Sequence, residues 1–141
     1  MKVFVLNNIA KFAQLCVDIN GERIPMIFRP FHESNGHWFW WGAEHLSDEK
    51  FIQLFRYTID YLRNDKGIRN FLYSYSLNGV IDSKEQYMAR YPGDDYVDIL
   101  GFEQFRIDVV FFGDTACVGD GKLRAFLHHI AQRTRQLNLA L

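Results

Sequence analysis

The segment Phe28-Arg29-Pro30-Phe31-His32-Glu33-Ser34-Asn35-Gly36-His37-Trp38-Phe39-Trp40-Trp41-Gly42 holds the residues of this 141-residue chain with the clearest chemical purpose. A Glu that follows a parallel strand stands at the mouth where parallel α/β folds place their sites, and aromatic walls beside a carboxyl raise its pKa by desolvation. That is what a general acid needs, so Glu33 is the catalytic candidate and its pKa is expected to be raised. Trp38, Trp40 and Trp41 fall within four residues of a glycine-bounded loop, outside any periodic element. Flat apolar faces with one polar edge suit sugar rings. Trp38 is the expected sugar contact, while at least one of the three tryptophans, together with Phe39, is expected to pack beneath the loop.

A metal site is the competing chemistry, because His32, Glu33, His37 and His45 lie within fourteen positions. The zinc-protease pattern needs two His four apart on one helix face. Here His32 and His37 are five apart, and Pro30, Asn35 and Gly36 oppose a helix through them. Neither a metal nor a cofactor is expected. His128 and His129 read as surface or helix-end residues.

The elements that must position these residues alternate along the chain. Leu6, Ile9, Phe12, Ala13 and Cys16 recur at helical spacing, predicting an amphipathic helix over 4–16 closed by the turn Asp18 to Gly21. Ile24 to Phe28 reads as a strand that continues to His32 and Glu33. Ser47 is placed to cap a second helix with Asp48 and Glu49 in its first turn and a buried stripe of Phe51, Leu54, Phe55, Thr58, Ile59 and Leu62, ended by Gly67. Strands over 70–76 and 96–102, a short helix over 84–90 and a helix over 122–137 follow. Residues 138–141 read as the start of another strand, cut within the element. Strands separated by helical crossovers pair in parallel, so the expected class is parallel α/β in a single unit.

Composition removes other classes. The chain is 48% hydrophobic and 16% aromatic, enough for an ordinary core, and its formal charge of -1 comes without the basic run that tracks a phosphate backbone. No nucleic-acid partner is expected. Apolar runs fall short of the roughly 18 residues that span a bilayer, and the first residues do not form a signal peptide, so no membrane partner is expected either. Cys16 and Cys117 stand alone, without metal-site or disulfide-framework spacing.

Arg29-Pro30-Phe31-His32-Glu33, then Asn35-Gly36, then Trp38-Phe39-Trp40-Trp41-Gly42 resemble the strand-four motif of glycoside hydrolase family 26, composed mainly of endo-β-1,4-mannanases. Tyr91-Pro92-Gly93-Asp94-Asp95-Tyr96-Val97-Asp98-Ile99-Leu100-Gly101-Phe102 resembles the loop and sixth strand of the same family. The resemblance covers nearly the whole chain and implies part of a (β/α)8 barrel, from its third helix to the start of strand seven. A complete barrel of this kind takes roughly 250 residues, so residues 1–141 would be a partial catalytic domain with about half the barrel.

By resemblance, Glu33 would be the acid and base of a retaining mechanism on internal β-1,4-mannosidic bonds, His32 would orient the site, and Trp38, with Trp40 and Trp41, would form the sugar-binding wall. The family takes its nucleophile from the end of strand seven, so that Glu would be missing from this chain. After strand six the family shows an Asp and, two residues on, a Tyr; here stand Glu103, Gln104 and Phe105. Glu103 keeps a carboxylate and is either a substrate contact or a charge at a strand end, while Phe105 cannot donate the Tyr hydrogen bond. Asn78, at the end of strand five, is explained equally well by the preference of turns for Asn.

The implied partner is β-mannan or a manno-oligosaccharide, the implied location of the full-length parent is extracellular or the cell envelope, and open sheet edges would favour self-association. A 141-residue piece would hydrolyse mannan poorly by itself. Activity on β-1,3-xylan or mixed-linkage β-glucan, or carbohydrate binding without catalysis, are the alternative readings.

Overall fold

The computed structural model describes residues 2–79 and 81–103. Expectations that concern Phe105, Gly113, Cys117, Gly119, Gly121, the helix over 122–137 with His128 and His129, and the strand over 138–141 lie outside the described residues.

The described elements alternate as the hydrophobic patterns require: helix α1 Lys2–Leu15, strand β1 Met26–Phe28, helix α2 Asp48–Asp60 continued by a π-helical turn Tyr61–Asp65, strand β2 Phe71–Asn78, helix α3 Lys84–Met88, a 3₁₀ turn Asp94–Tyr96 and strand β3 Ile99–Glu103. The three strands form one parallel sheet in sequence order. Phe28 pairs with Tyr73, and Asn78 with Glu103, so all three strands point their C-terminal ends at the same rim.

Helix α2 follows its predicted stripe closely. Ser47 caps it by accepting from the Lys50 N–H, Asp48 and Glu49 sit in the first turn where the helix dipole favours acids, and Phe51, Leu54, Phe55, Thr58 and Ile59 are buried. Phe51, Phe55 and Ile59 pack on Tyr73, Tyr75 and Leu77 of β2, while Ile81, Tyr87 and Val97 complete this core. Strand β2 alternates aromatic and small residues for a reason visible in three dimensions: Tyr73, Tyr75 and Leu77 face α2, and buried Ser74 and Ser76 leave the other face open to neighbouring groups. Tyr75 Oη donates to the Tyr87 carbonyl and Tyr87 Oη to the Gly101 carbonyl, tying α3 to the sheet.

Two expectations change. Along α1 the buried stripe is Leu6, Ala10 and Ala13, set on Leu62 and Ile68. Phe12 is 62% exposed and lines a shallow apolar groove with Val5, Ile9, Met26, Ile27, Phe28 and Phe71. The apolar arc of α1 is therefore wider than the helix surface its described neighbours cover. Strand β1 also ends at Phe28, five residues before Glu33. Pro30 has no N–H to give a ladder, and Phe31 and Glu33 take left-handed backbone angles, φ 52° and 54°. The chain nevertheless stays beside β2, because the Glu33 N–H reaches the Ser76 carbonyl at 3.0 Å.

Candidate functional site

At the C-terminal rim, side chains from all three strand ends converge on Glu33. Left-handed backbone costs a non-glycine residue of order 1 kcal/mol or more, and such strain persists only where the surroundings over-determine it. Phe31 is held by edge and tilted ring contacts to Trp40, Trp41, Phe51 and Phe55. Glu33 is held at its carboxylate: Oε1 accepts from Asn78 Nδ2 at 2.7 Å and Oε2 from Trp38 Nε1 at 2.8 Å. Glu103, at the end of β3, contacts the same carboxyl and is ion-paired with Arg29, whose guanidinium also reaches Ser76 Oγ at 3.5 Å.

This arrangement reverses the expected direction of the Glu33 pKa. Burial does push it up, as the sequence suggests, since only 7% of the residue is exposed. The hydrogen bonds from Asn78, the Glu103 contact, the Trp38 indole and the charge of His32 together outweigh that cost, and the carboxyl sits below the ordinary Glu range. The polar edge of Trp38 faces the carboxylate, while the residue remains 48% exposed. These contacts favour the ionised form of the Glu33 carboxyl.

The aromatic loop separates into two layers. Trp41 belongs to the packed layer: its ring stacks on Phe39 at 4.4 Å and 12°, and its Nε1 donates to the His32 carbonyl at 2.9 Å. The His32 ring lies against Phe39, 5.0 Å between centroids. Trp38 and Trp40 form the outer layer, 48% and 55% exposed. His45 Nε2 lies 3.0 Å from the His37 carbonyl, so among these four candidate ligands His45 is directed at main chain and His32 at a ring.

Two glycines make the loop possible. A Cβ at Gly42 would stand 2.2 Å from the Gly36 carbonyl oxygen, a clash with backbone. A Cβ at Gly36 would stand 2.5 Å from the Trp38 ring, which folds back through that space to reach Glu33. Gly36→Ala is accordingly expected to evict the Trp38 ring while leaving the sheet intact. In a 1H–15N spectrum the Trp38 indole N–H should move and lose its response to the Glu33 titration; an unchanged indole resonance would refute this packing.

Sequence reasoning read Asn78 equally well as a turn residue and gave no role of their own to Arg29, Asn35 and Arg90. Asn78 donates to the catalytic candidate, Arg29 pins Glu103, and Asn35 exchanges hydrogen bonds with the Asn78 backbone. Arg90, 3% exposed, donates to the carbonyls of Ser34, Trp41 and Leu46 and so fastens the loop from behind. The signal for Asn78 was its place at a strand end. For Arg90 there was none, because the hydrogen bonds by which it holds the loop end on main-chain atoms, which any residue type supplies.

Known proteins resemble this chain. The profile of Glycosyl hydrolase family 26 matches residues 2–117. A mannan endo-1,4-beta-mannosidase of Bifidobacterium adolescentis is 48% identical over 104 residues, 73% of this chain and 10% of that protein. Among solved structures, the catalytic domain of a Bacillus sp. JAMB-750 GH26 endo-beta-1,4-mannanase is 54% identical with a TM-score of 0.69, over 70% of this chain and 26% of the other. A Cellulomonas fimi endo-beta-1,4-mannanase double mutant gives a TM-score of 0.76 at 35% identity, over 94% of this chain and 28% of the other. The chain thus spans between about a tenth and just over a quarter of these relatives. The described parallel strands with their crossover helices form an open arc of the family's (β/α)8 barrel. With the profile running through most of the sequence, including the rim that holds Glu33, the chain belongs to glycosyl hydrolase family 26.

Proposed function

We propose that this chain supplies the acid/base side of an endo-acting β-mannan hydrolase that works with retention. The observation that carries the reading is the Glu33 carboxylate, gripped by Asn78 and Trp38 at the C-terminal rim of a parallel sheet beside two exposed tryptophan faces. Glu33 protonates the leaving glycosidic oxygen and then deprotonates the attacking water. Trp38 and Trp40 offer their faces to sugar rings, Trp41 supports them from beneath, and His32, packed on Phe39, orients the site beside the acid.

The ionised carboxyl becomes an acid by a change of partners. A sugar that draws the Trp38 indole away removes a donor that favours the charged form and leaves the cost of burial in place. The carboxyl then takes up a proton. Retention also requires a nucleophilic carboxylate about 5 to 5.5 Å from the acid, with the anomeric carbon between them. Glu103 does not fit that role, because it touches the Glu33 carboxyl and its charge is engaged by Arg29. We assign Glu103 to support of Glu33 and contact with substrate.

Reducing-end release from β-mannan, β-1,3-xylan and mixed-linkage β-glucan, measured side by side at the chain length at which the protein is active, tests the substrate. Faster release from mannan than from either alternative is expected. Preference for another polysaccharide would overturn the mannan assignment, and quenching of tryptophan emission by manno-oligosaccharides without new reducing ends at any length would favour a binding role.

A further inference from the structure

We infer that Asn35 is a positioning residue for the Glu33 carboxyl and acts through Asn78. The inference deepens the acid/base reading above, but its test does not need turnover. Strand β1 stops at Phe28, so the end of β2 lacks a strand partner on that side. The Asn35 side chain fills the gap: Nδ2 donates to the Asn78 carbonyl at 2.7 Å, and Oδ1 accepts from the Asn78 N–H at 2.8 Å. A side-chain amide has the same donor and acceptor as a peptide group, so Asn35 continues the ladder by one rung.

On its other side Asn78 is in register with Glu103, and the following residue, Gly79, donates its N–H to the Glu103 carbonyl at 2.8 Å. The backbone of Asn78 is thus fixed from both flanks, which fixes the direction in which its side chain leaves. That side chain ends on Glu33 Oε1 at 2.7 Å. Without Asn35, Asn78 becomes the last residue of a strand paired on one side only, and its amide loses its aim at the carboxylate. Ser offers one of the two bonds; Ala offers neither.

Among the described residues, the groups facing Glu33 are Asn78 from β2, Glu103 from β3 with its Arg29 partner, Trp38 from the loop and the adjacent His32. Asn78 is neutral and favours the ionised carboxyl, so weakening its bond raises the Glu33 midpoint. The experiment is a pH titration of the Glu side-chain carboxyl carbons in 13C-labelled protein, with the Glu33 signal assigned by its loss in Glu33→Gln.

Asn78→Ala should shift the midpoint upward and Asn35→Ala should shift it upward by less. The double variant should match Asn78→Ala alone, because a residue that acts through another adds nothing once that other is gone. Asn35→Ser, keeping one bond, should fall between wild type and Asn35→Ala, and stands in should Asn35→Ala not fold. Loss of thermal stability with an unmoved midpoint would mean Asn35 is only structural. Additive shifts in the double variant would mean that it reaches Glu33 by another route. Either result overturns the inference, and neither depends on whether Glu33 is catalytic.

Discussion

Replacing Glu33 by Gln is expected to lower reducing-end release from β-mannan by about 10²- to 10⁴-fold, the usual contribution of a positioned acid/base group. The high end applies to the natural polymer, because a sugar hydroxyl is a poor leaving group and depends on the proton. An aryl β-mannoside with an acidic phenol should lose far less in the bond-breaking step. The substitution keeps the shape of the side chain but not its hydrogen-bond sense. Glu33 accepts from Trp38 and from Asn78, whereas an amide has one oxygen and one NH₂, so one of those donors then faces another donor. A change in Trp38 emission should therefore accompany the loss of activity.

The pH dependence of stability follows from the same contacts. A carboxyl whose folded pKa lies below its unfolded value stabilises the fold above the unfolded pKa, and loses that contribution as pH falls through the folded value. Wild type should therefore lose more stability than Glu33→Gln on acidification through the carboxylate range. Near-normal turnover of mannan by Glu33→Gln would end the assignment of Glu33 as acid/base.

How much of this was legible beforehand depends on the kind of contact involved. Helix α2 could be read in detail, because a cap, two first-turn acids and an apolar stripe are local signals that the tertiary structure did not override. Glu33 and the tryptophans could be singled out as candidates for a similar reason: they stand together at unusual density in one segment. The sign of the Glu33 pKa was not legible. Aromatic neighbours announce burial, but the compensating donor from Asn78 arrives from 45 residues away, and Glu103 from the end of a different strand. The early end of β1 was hidden too. Its apolar run and its route along β2 both persist past Phe28, while the left-handed angles at Phe31 and Glu33 are imposed by the packing around them.

Arg90 carries the second large effect. Its guanidinium donates to the carbonyls of Ser34, Trp41 at 3.3 Å and Leu46 at 2.7 Å, and lies 4.3 Å from the Phe51 ring centroid. These three carbonyls mark the start, middle and end of the loop that bears the tryptophans. Asp48 stands 3.1 Å from Nε, but its side chain is half in water, so that ion pair adds little and the aspartate re-solvates freely once the arginine is gone.

The cost of removing Arg90 lies instead in the carbonyls left behind and in the lost ring contact. Charge-assisted hydrogen bonds contribute about 1.5–3 kcal/mol each, and part of that is recovered as water enters, so Arg90→Met is expected to destabilise the protein by about 3 kcal/mol. Arg90→Lys should restore less than half, because one ammonium cannot span three divergent acceptors as the planar fork does. Urea midpoints at constant m-value measure the loss. In variants that remain folded, freer Trp38 and Trp40 should show in near-UV circular dichroism, and mannan turnover should fall because Ser34 adjoins Glu33. An Arg90→Met protein with the wild-type midpoint and unchanged aromatic signals would show that the loop is held by its stacked rings alone.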